Sequence, residues 1–106
     1  MNKIASPFTL PNGSVLKNRI AKSAMSENMG SKGFVSNRSF ERLYERWADG
    51  GTGLLITGNV MVDQRALGEA NNVVIEKGIN DPCLKLWAKA GSKNDTHIWV
   101  QLNHPG

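Results

Sequence analysis

Gly53-Leu54-Leu55-Ile56-Thr57-Gly58-Asn59-Val60-Met61-Val62 is the stretch on which the fold turns. It is apolar almost throughout, as a strand covered on both faces is when helices flank a parallel sheet. The Thr57-Gly58-Asn59 interruption predicts that the apolar wall ends there and that something polar begins. Just upstream, Phe40, Leu43, Tyr44, Trp47 and Ala48 recur at i, i+3, i+4, i+7 and i+8. That spacing lays one apolar stripe along a helix, with Glu41, Arg42, Glu45 and Arg46 facing water. Gly50-Gly51 stops this helix, because glycine supplies the left-handed backbone that closes a helix C-terminus.

Downstream, residues 63–80 form a long segment holding one short apolar piece, Val73-Val74-Ile75. Asp81-Pro82 predicts the start of a second helix, since Asp caps free N–H groups and Pro suits the first helical position. Cys83, Leu86, Trp87 and Ala90 make its stripe, and Asn94 is its expected stop. His97-Ile98-Trp99-Val100-Gln101-Leu102-Asn103 reads as a further strand, ending in His104-Pro105-Gly106. Toward the N-terminus, Phe8-Thr9-Leu10 and Val15-Leu16 flank Pro11-Asn12-Gly13-Ser14. Asn-Gly offers the positive φ angles of a tight turn, so a hairpin is expected. Arg19 to Met25 reads as a strand and Ser26 to Asn37, rich in Ser, Asn, Gly and Lys, as a loop.

The order is hairpin, strand, helix, strand, helix, strand. Alternation of this kind implies an α/β fold with a parallel sheet and right-handed crossovers. A doubly wound sheet and a closed barrel both satisfy it. Neither G-x-G-x-x-G nor G-x-x-x-x-G-K-[ST] follows the first strands, which tilts the reading toward the barrel. A barrel winds in one direction, so both helices should lie on the same outer side of strands ordered 1-2-3. A whole (β/α)₈ barrel takes roughly 250 residues, and the chain has 106. The expectation is therefore the N-terminal part of one barrel domain, residues 1–106.

Composition narrows the classes. Lys and Arg number 13 against 9 Asp and Glu, a net +4 that is scattered rather than gathered into a basic, aromatic-interleaved patch, so no nucleic-acid partner is expected. The lone Cys83 can form neither an internal disulfide nor a thiol-rich zinc site. The N-terminus lacks a signal-peptide pattern, and no apolar run approaches the roughly 18 residues of a membrane span. A cytoplasmic protein without a membrane partner is the simplest expectation, with a homo-oligomer open.

Ligands of parallel α/β folds meet the C-terminal ends of the strands. Those ends carry Ala24-Met25-Ser26, Thr57-Gly58-Asn59 and Gln101-Leu102-Asn103-His104. The residues are small or amide-bearing, with no acid paired to a histidine, a lining suited to a flat, neutral heterocycle. Gln101 can offer an N–H and a carbonyl to one ring edge. Gly58 allows close approach to the backbone, Met25 packs softly against an aromatic plane, and Ser26 offers a hydroxyl. Each has a bland reading as well: core filling for Met25, a solvated amide for Gln101, a bend for Gly58, a loop residue for His104.

Pro7-Phe8-Thr9-Leu10-Pro11-Asn12-Gly13 with Leu16-Lys17-Asn18-Arg19-Ile20 resembles the opening of the Old Yellow Enzyme (NADH:flavin oxidoreductase) family. Ala24-Met25-Ser26, Gly51-Thr52-Gly53-Leu54-Leu55-Ile56-Thr57-Gly58 and Gln101-Leu102-Asn103-His104-Pro105-Gly106 follow in the same order. The resemblance implies an FMN-bearing (β/α)₈ TIM barrel whose N-terminal hairpin closes the barrel bottom. It implies NADH or NADPH as reductant and an activated alkene, such as an α,β-unsaturated carbonyl, as the small-molecule substrate. By position it sets Ala24 and Met25 against the flavin face, Ser26 near flavin O4, Gly58 close to the ring and Gln101 on the pyrimidine edge. Asn28 and Asn103 fall on the substrate side. The chain departs from the pattern at Ala24, where relatives often carry Pro, and at Asn28, where some carry Tyr. The family's substrate-binding His/Asn pair, catalytic Tyr and phosphate-gripping Arg belong to later strands, so no catalytic residue is expected here and the chain alone is expected to be inactive. The alternatives are a non-catalytic remnant and a neighbouring flavin-barrel enzyme of the dihydroorotate-dehydrogenase kind.

Overall fold

The computed structural model describes residues 3–77 and 82–106. It opens with a hairpin of β1 (Phe8–Thr9) and β2 (Val15–Leu16), antiparallel with Phe8 opposite Leu16. The Leu10 N–H donates to the Ser14 carbonyl at 2.7 Å and the Gly13 N–H to the Leu10 carbonyl at 2.9 Å. Of Asn12 and Gly13 only the glycine takes positive φ, at 91°. The longer loop makes that sufficient, so the turn differs from the two-residue form that Asn-Gly suggests.

The sheet is built around β4 (Leu54–Met61). On one edge β6 (His97–Asn103) pairs with it in parallel from Leu54↔His97 to Met61↔Asn103. On the other edge β3 (Ala21–Lys22) pairs at Leu54 and Leu55, and β5 (Val73–Val74) pairs at Val60 and Met61. The three main strands therefore run β3-β4-β6, and the short apolar piece Val73-Val74 adds a strand beside the far end of β4. Two sequence expectations are corrected here. The strand expected over Arg19 to Met25 shrinks to Ala21–Lys22, because beyond Lys22 the chain leaves the ladder and crosses over Gly58. The Thr57-Gly58-Asn59 interruption does not end β4; the strand runs on to Met61, with a register slip between Ile56 and Asn59.

Helix α1 (Arg38–Asp49) starts at Asn37, whose side chain accepts the Ser39 N–H, and gives way to Gly51 at φ 105°. Its buried residues Phe40, Tyr44 and Ala48 fall on the stripe read from the sequence. They pack with Leu55 and Val60 of β4 and with Trp87 of α2 (Cys83–Gly91). The Trp87 ring lies 4.8 Å from Phe40 and 5.4 Å from Tyr44, centroid to centroid. Both helices thus share one side of the sheet, as one-directional winding requires. Leu86 departs from its expected stripe: it is exposed, and Leu84 packs on the core instead. The helix also stops at Gly91, before Asn94, and Gly91 lies against Ile98 where a Cβ would strike that side chain. Asn94 takes left-handed φ of 56° in the following 3₁₀ turn, Lys93–Asp95. The expected cap at Asp81 lies outside the described residues.

The residues Leu16-Lys17-Asn18-Arg19-Ile20 tie the hairpin to the N-terminal end of the sheet. Leu16 is buried. The Lys17 ammonium donates to the Asn94 carbonyl and, at 3.1 Å, to Thr96 Oγ1. Asn18 Nδ2 donates to the Gly51 carbonyl at 2.6 Å, and the Ile20 carbonyl accepts from Gly53 N at 2.9 Å. Thr96 Oγ1 in turn donates to the Thr52 carbonyl at 2.9 Å. Thr96 is thus a buried junction between the hairpin, the turn before β4 and the turn before β6. Thr96→Val should lower stability by about 1–3 kcal/mol, because two half-buried partners, the Lys17 ammonium and the Thr52 carbonyl, lose their bond to a buried hydroxyl. Thr96→Ser should lower it less. Denaturant midpoints of the two variants check this, and equal midpoints for Thr96→Val and the parent would contradict it.

Candidate functional site

The opposite end of the sheet gathers most of the residues singled out from the sequence. Ala24, Met25 and Ser26 follow β3 and are all exposed, Met25 at 54 %. Gly58 is buried in β4. A Cβ built there would collide with the Met25 carbonyl oxygen and with the Glu27 carboxylate. Gly58 was expected to admit a ring, and the group standing over it is the Met25 backbone. Its missing side chain lets the segment after β3 close onto the strand.

On β6, the Gln101 N–H donates to Thr57 Oγ1 at 3.1 Å, and Gln101 Nε2 donates to Asn59 Oδ1 at 2.8 Å. One amide N–H and the side-chain carbonyl remain for a ligand. Asn103 lies two residues on, opposite Met61, on the same face by alternation. Asn28 is exposed at left-handed φ of 54°, and no hydrogen bond among the described residues ties its side chain to the others.

The Ser26 hydroxyl donates to the Glu69 carboxylate in the loop after β4. That loop is held by Asn72, whose Oδ1 accepts from Gly68 N at 3.0 Å and Glu69 N at 2.6 Å. With its proton engaged, Ser26 offers a lone pair to a ligand, which differs from the donor expected of it.

Glu27 was not singled out, since it sits in a polar stretch that reads as loop. Its Oε2 accepts the Gly58 N–H at 3.0 Å and the Tyr44 hydroxyl of α1. The signal for it lay in Tyr44, a phenol on a buried helix stripe that needs a polar partner. Burial first, then the hydrogen bond to Glu27, push the Tyr44 pKa far above its usual range. Nearby, Lys22 holds its ammonium 5.0 Å from the Trp47 ring centroid and 5.7 Å from that of Tyr44, with no hydrogen-bond partner among the described residues. Burial draws its pKa below the usual value, against the opposing charge of Glu27.

This end can grip a flat heterocycle. It presents an exposed thioether and methyl on one flank and an amide with a free N–H and carbonyl on another. Those groups match a neutral ring system bearing a donor and an acceptor on one edge, so the residues fit the isoalloxazine of a flavin. Among the described residues no group of three His, Cys, Asp or Glu could hold a metal ion, and no helix is long and apolar enough to cross a membrane.

Comparison with known proteins gives the site its context. No family model matches the chain. The NADH-dependent flavin oxidoreductase iliE of Hypocrea jecorina (strain QM6a) is 41 % identical over 104 residues, 94 % of this chain and 26 % of that protein. Old Yellow Enzyme from Pichia sp. AKU4542 superposes with a TM-score of 0.85 at 23 % identity, over 98 % of this chain and 27 % of that one. Morphinone reductase in complex with tetrahydroNAD gives 0.86 at 21 % identity, over 100 % of this chain and 28 % of that one. The chain is thus similar in sequence to NADH-dependent flavin oxidoreductases and in fold to Old Yellow Enzymes. It spans about a quarter of the length of the curated relatives it matches. The structural likeness to Old Yellow Enzymes is a likeness of fold, and the curated oxidoreductases add the flavin and the nicotinamide reductant in their names.

The raised pKa of Tyr44 has a consequence for stability. Folding favours the neutral phenol, so this contribution is fully present below the unfolded value of about 10 and is lost as pH rises past it. The difference in thermal midpoint between the parent and Tyr44→Phe should be flat from pH 6 to 9 and should move against the parent above about pH 10. A difference that stays constant up to pH 11 would contradict the buried, carboxylate-bonded phenol.

Proposed function

We propose that this chain is the first part of an FMN-bearing (β/α)₈ barrel, comprising its N-terminal hairpin and first three strands with the helices between them. The whole protein would be an ene-reductase-like oxidoreductase. When bound, FMN would supply the hydride-transfer chemistry between NADH or NADPH and an activated alkene such as an α,β-unsaturated carbonyl. The protein's part is to bind, orient and polarise.

The observation that carries this reading is the pairing of Gln101 with Asn59. It fixes the Gln101 amide in β6 while leaving an N–H and a carbonyl for the pyrimidine edge of a flavin. Ala24 and Met25 would lie against the ring face, with Ser26 toward O4 and its proton held by Glu69. Gly58 would serve that face through Met25, and Asn103 and Asn28 would look toward the substrate. The exposed Trp99, Val100 and Leu102 of β6, up to 60 % accessible, suit a strand that further barrel strands cover. Among these residues none is assigned proton transfer or the grip on the FMN phosphate, which forms in such barrels from loops after strands seven and eight.

The test takes the full-length polypeptide that carries this chain. It should purify yellow and release FMN on denaturation. Gln101→Ala should weaken FMN binding by about 1–3 kcal/mol, because an edge hydrogen bond is lost and its partner left unpaired. Residues 1–106 alone should show no NADH-driven enone reduction. Unchanged FMN affinity in Gln101→Ala removes that residue from the site, and turnover by residues 1–106 alone overturns the division of labour.

A further inference from the structure

On one edge of β4 the parallel ladder has a gap. β3 pairs as far as Leu55 and β5 begins only at Val60, so neither partner strand reaches residues 56–59 on that side. The register slip against β6 falls in the same interval. A buried backbone N–H without a partner is costly, and here the donor is that of Gly58. The group that meets it is a side chain, the Glu27 carboxylate, at 3.0 Å. The same oxygen accepts the hydroxyl of Tyr44, a residue with no measurable exposure. Glu27 therefore stands in for a missing strand and joins α1, β4 and the segment after β3 at one atom.

That segment contains Ala24, Met25 and Ser26. The Met25 carbonyl rests over Gly58, in space that any larger residue would take. The position of the exposed Met25 side chain is thus set by how closely residues 25–27 lie on the strand, and Glu27 sets that closeness. Lys22, beside Tyr44 and Trp47, adds a favourable charge to the carboxylate. An apolar residue at position 27 could fill the volume but could not satisfy two donors.

We propose that Glu27 is a positioning residue for the flavin face. It fixes the height of the Ala24-Met25-Ser26 wall against the ring by accepting the Gly58 N–H and the Tyr44 hydroxyl. The inference rests on the flavin reading above and adds a role that the flavin contacts themselves do not contain.

The test uses the full-length polypeptide with Glu27→Ala, Glu27→Gln and Tyr44→Phe. The readouts are FMN dissociation constant, visible absorption spectrum of bound FMN, and flavin midpoint potential. Glu27→Ala should bind FMN at least ~10-fold more weakly, as loss of charge-assisted hydrogen bonds implies, and should shift the flavin bands and the potential. Glu27→Gln keeps an oxygen that can accept from both donors, so it should restore the dissociation constant and spectrum nearly to the parent's. Tyr44→Phe, which removes one donor, should fall between them, and it carries the test if Glu27→Ala does not fold. A residue that merely stabilised the fold would lower the melting temperature and leave the flavin spectrum and potential of the folded protein unchanged. That result in Glu27→Ala overturns the proposal, as does a Glu27→Gln variant as impaired as Glu27→Ala. A parent protein that binds no flavin overturns the functional reading and this inference with it, whereas flavin-loaded parent and variants that agree overturn the inference alone.

Discussion

The close approach of the Met25 carbonyl to Gly58 is the contact on which the candidate site depends. A strand residue with a Cβ at position 58 would hold residues 25–27 off the sheet. Without that contact the Glu27 carboxylate could not reach the Gly58 N–H, and the Tyr44 hydroxyl would lose its acceptor. One absent side chain therefore links the segment after β3, the middle of β4 and the inward face of α1. Glycine in a strand ordinarily weakens it. Here that cost is offset by hydrogen bonds that a regular ladder would not make.

The two ends of the sheet differ in how their polar groups are used. At the N-terminal end the hairpin is tied down by Lys17, Asn18 and Thr96, through bonds to backbone and hydroxyl groups that include the turns preceding β4 and β6. Little polar capacity is left there for a ligand. At the C-terminal end the bonds of Gln101 and Ser26 run to other side chains, Asn59 and Glu69, and leave donor or acceptor capacity open. The helices, packed through Phe40, Tyr44 and Trp87, keep the two ends in fixed relation. This is the division that parallel α/β barrels show in general, with conserved chemistry at the strand C-termini and structure below.

Helix α1 was legible from its residues because it carries one dominant period, and strand β6 from the apolar Ile98-Trp99-Val100 at its centre. The alternation of elements likewise pointed to a parallel sheet, and the barrel reading put both helices on one side of it. Boundaries failed where long-range contacts override local pattern. Arg19 to Met25 alternates as a strand would, but Met25 is drawn out of the ladder by Gly58, a residue remote in sequence. Leu86 belongs to the periodic stripe of α2 yet faces outward, and the face that meets the core carries Leu84 and Trp87, with Gly91 against Ile98. At the candidate site, Gln101 and Met25 were singled out by residue type and by their place at the expected strand ends, and Met25 stands three residues past Lys22, where β3 closes. Glu27 was hidden, since an acid among Ser, Asn and Gly reads as a solvated loop. Only the gap in the β4 edge gives it a reason to be where it is, and a gap between strands has no trace in local sequence.

The central claim is that the C-terminal end of this sheet, and not the hairpin end, forms one wall of an FMN site. Backbone hydrogen exchange, followed residue by residue while FMN is added to the full-length polypeptide, tests it most directly. The account predicts slowed exchange at residues 24–28, 58–59 and 101–103, with residues 8–16 of the hairpin unchanged. Slowed exchange at the hairpin with residues 24–28 and 101–103 unaffected would contradict it.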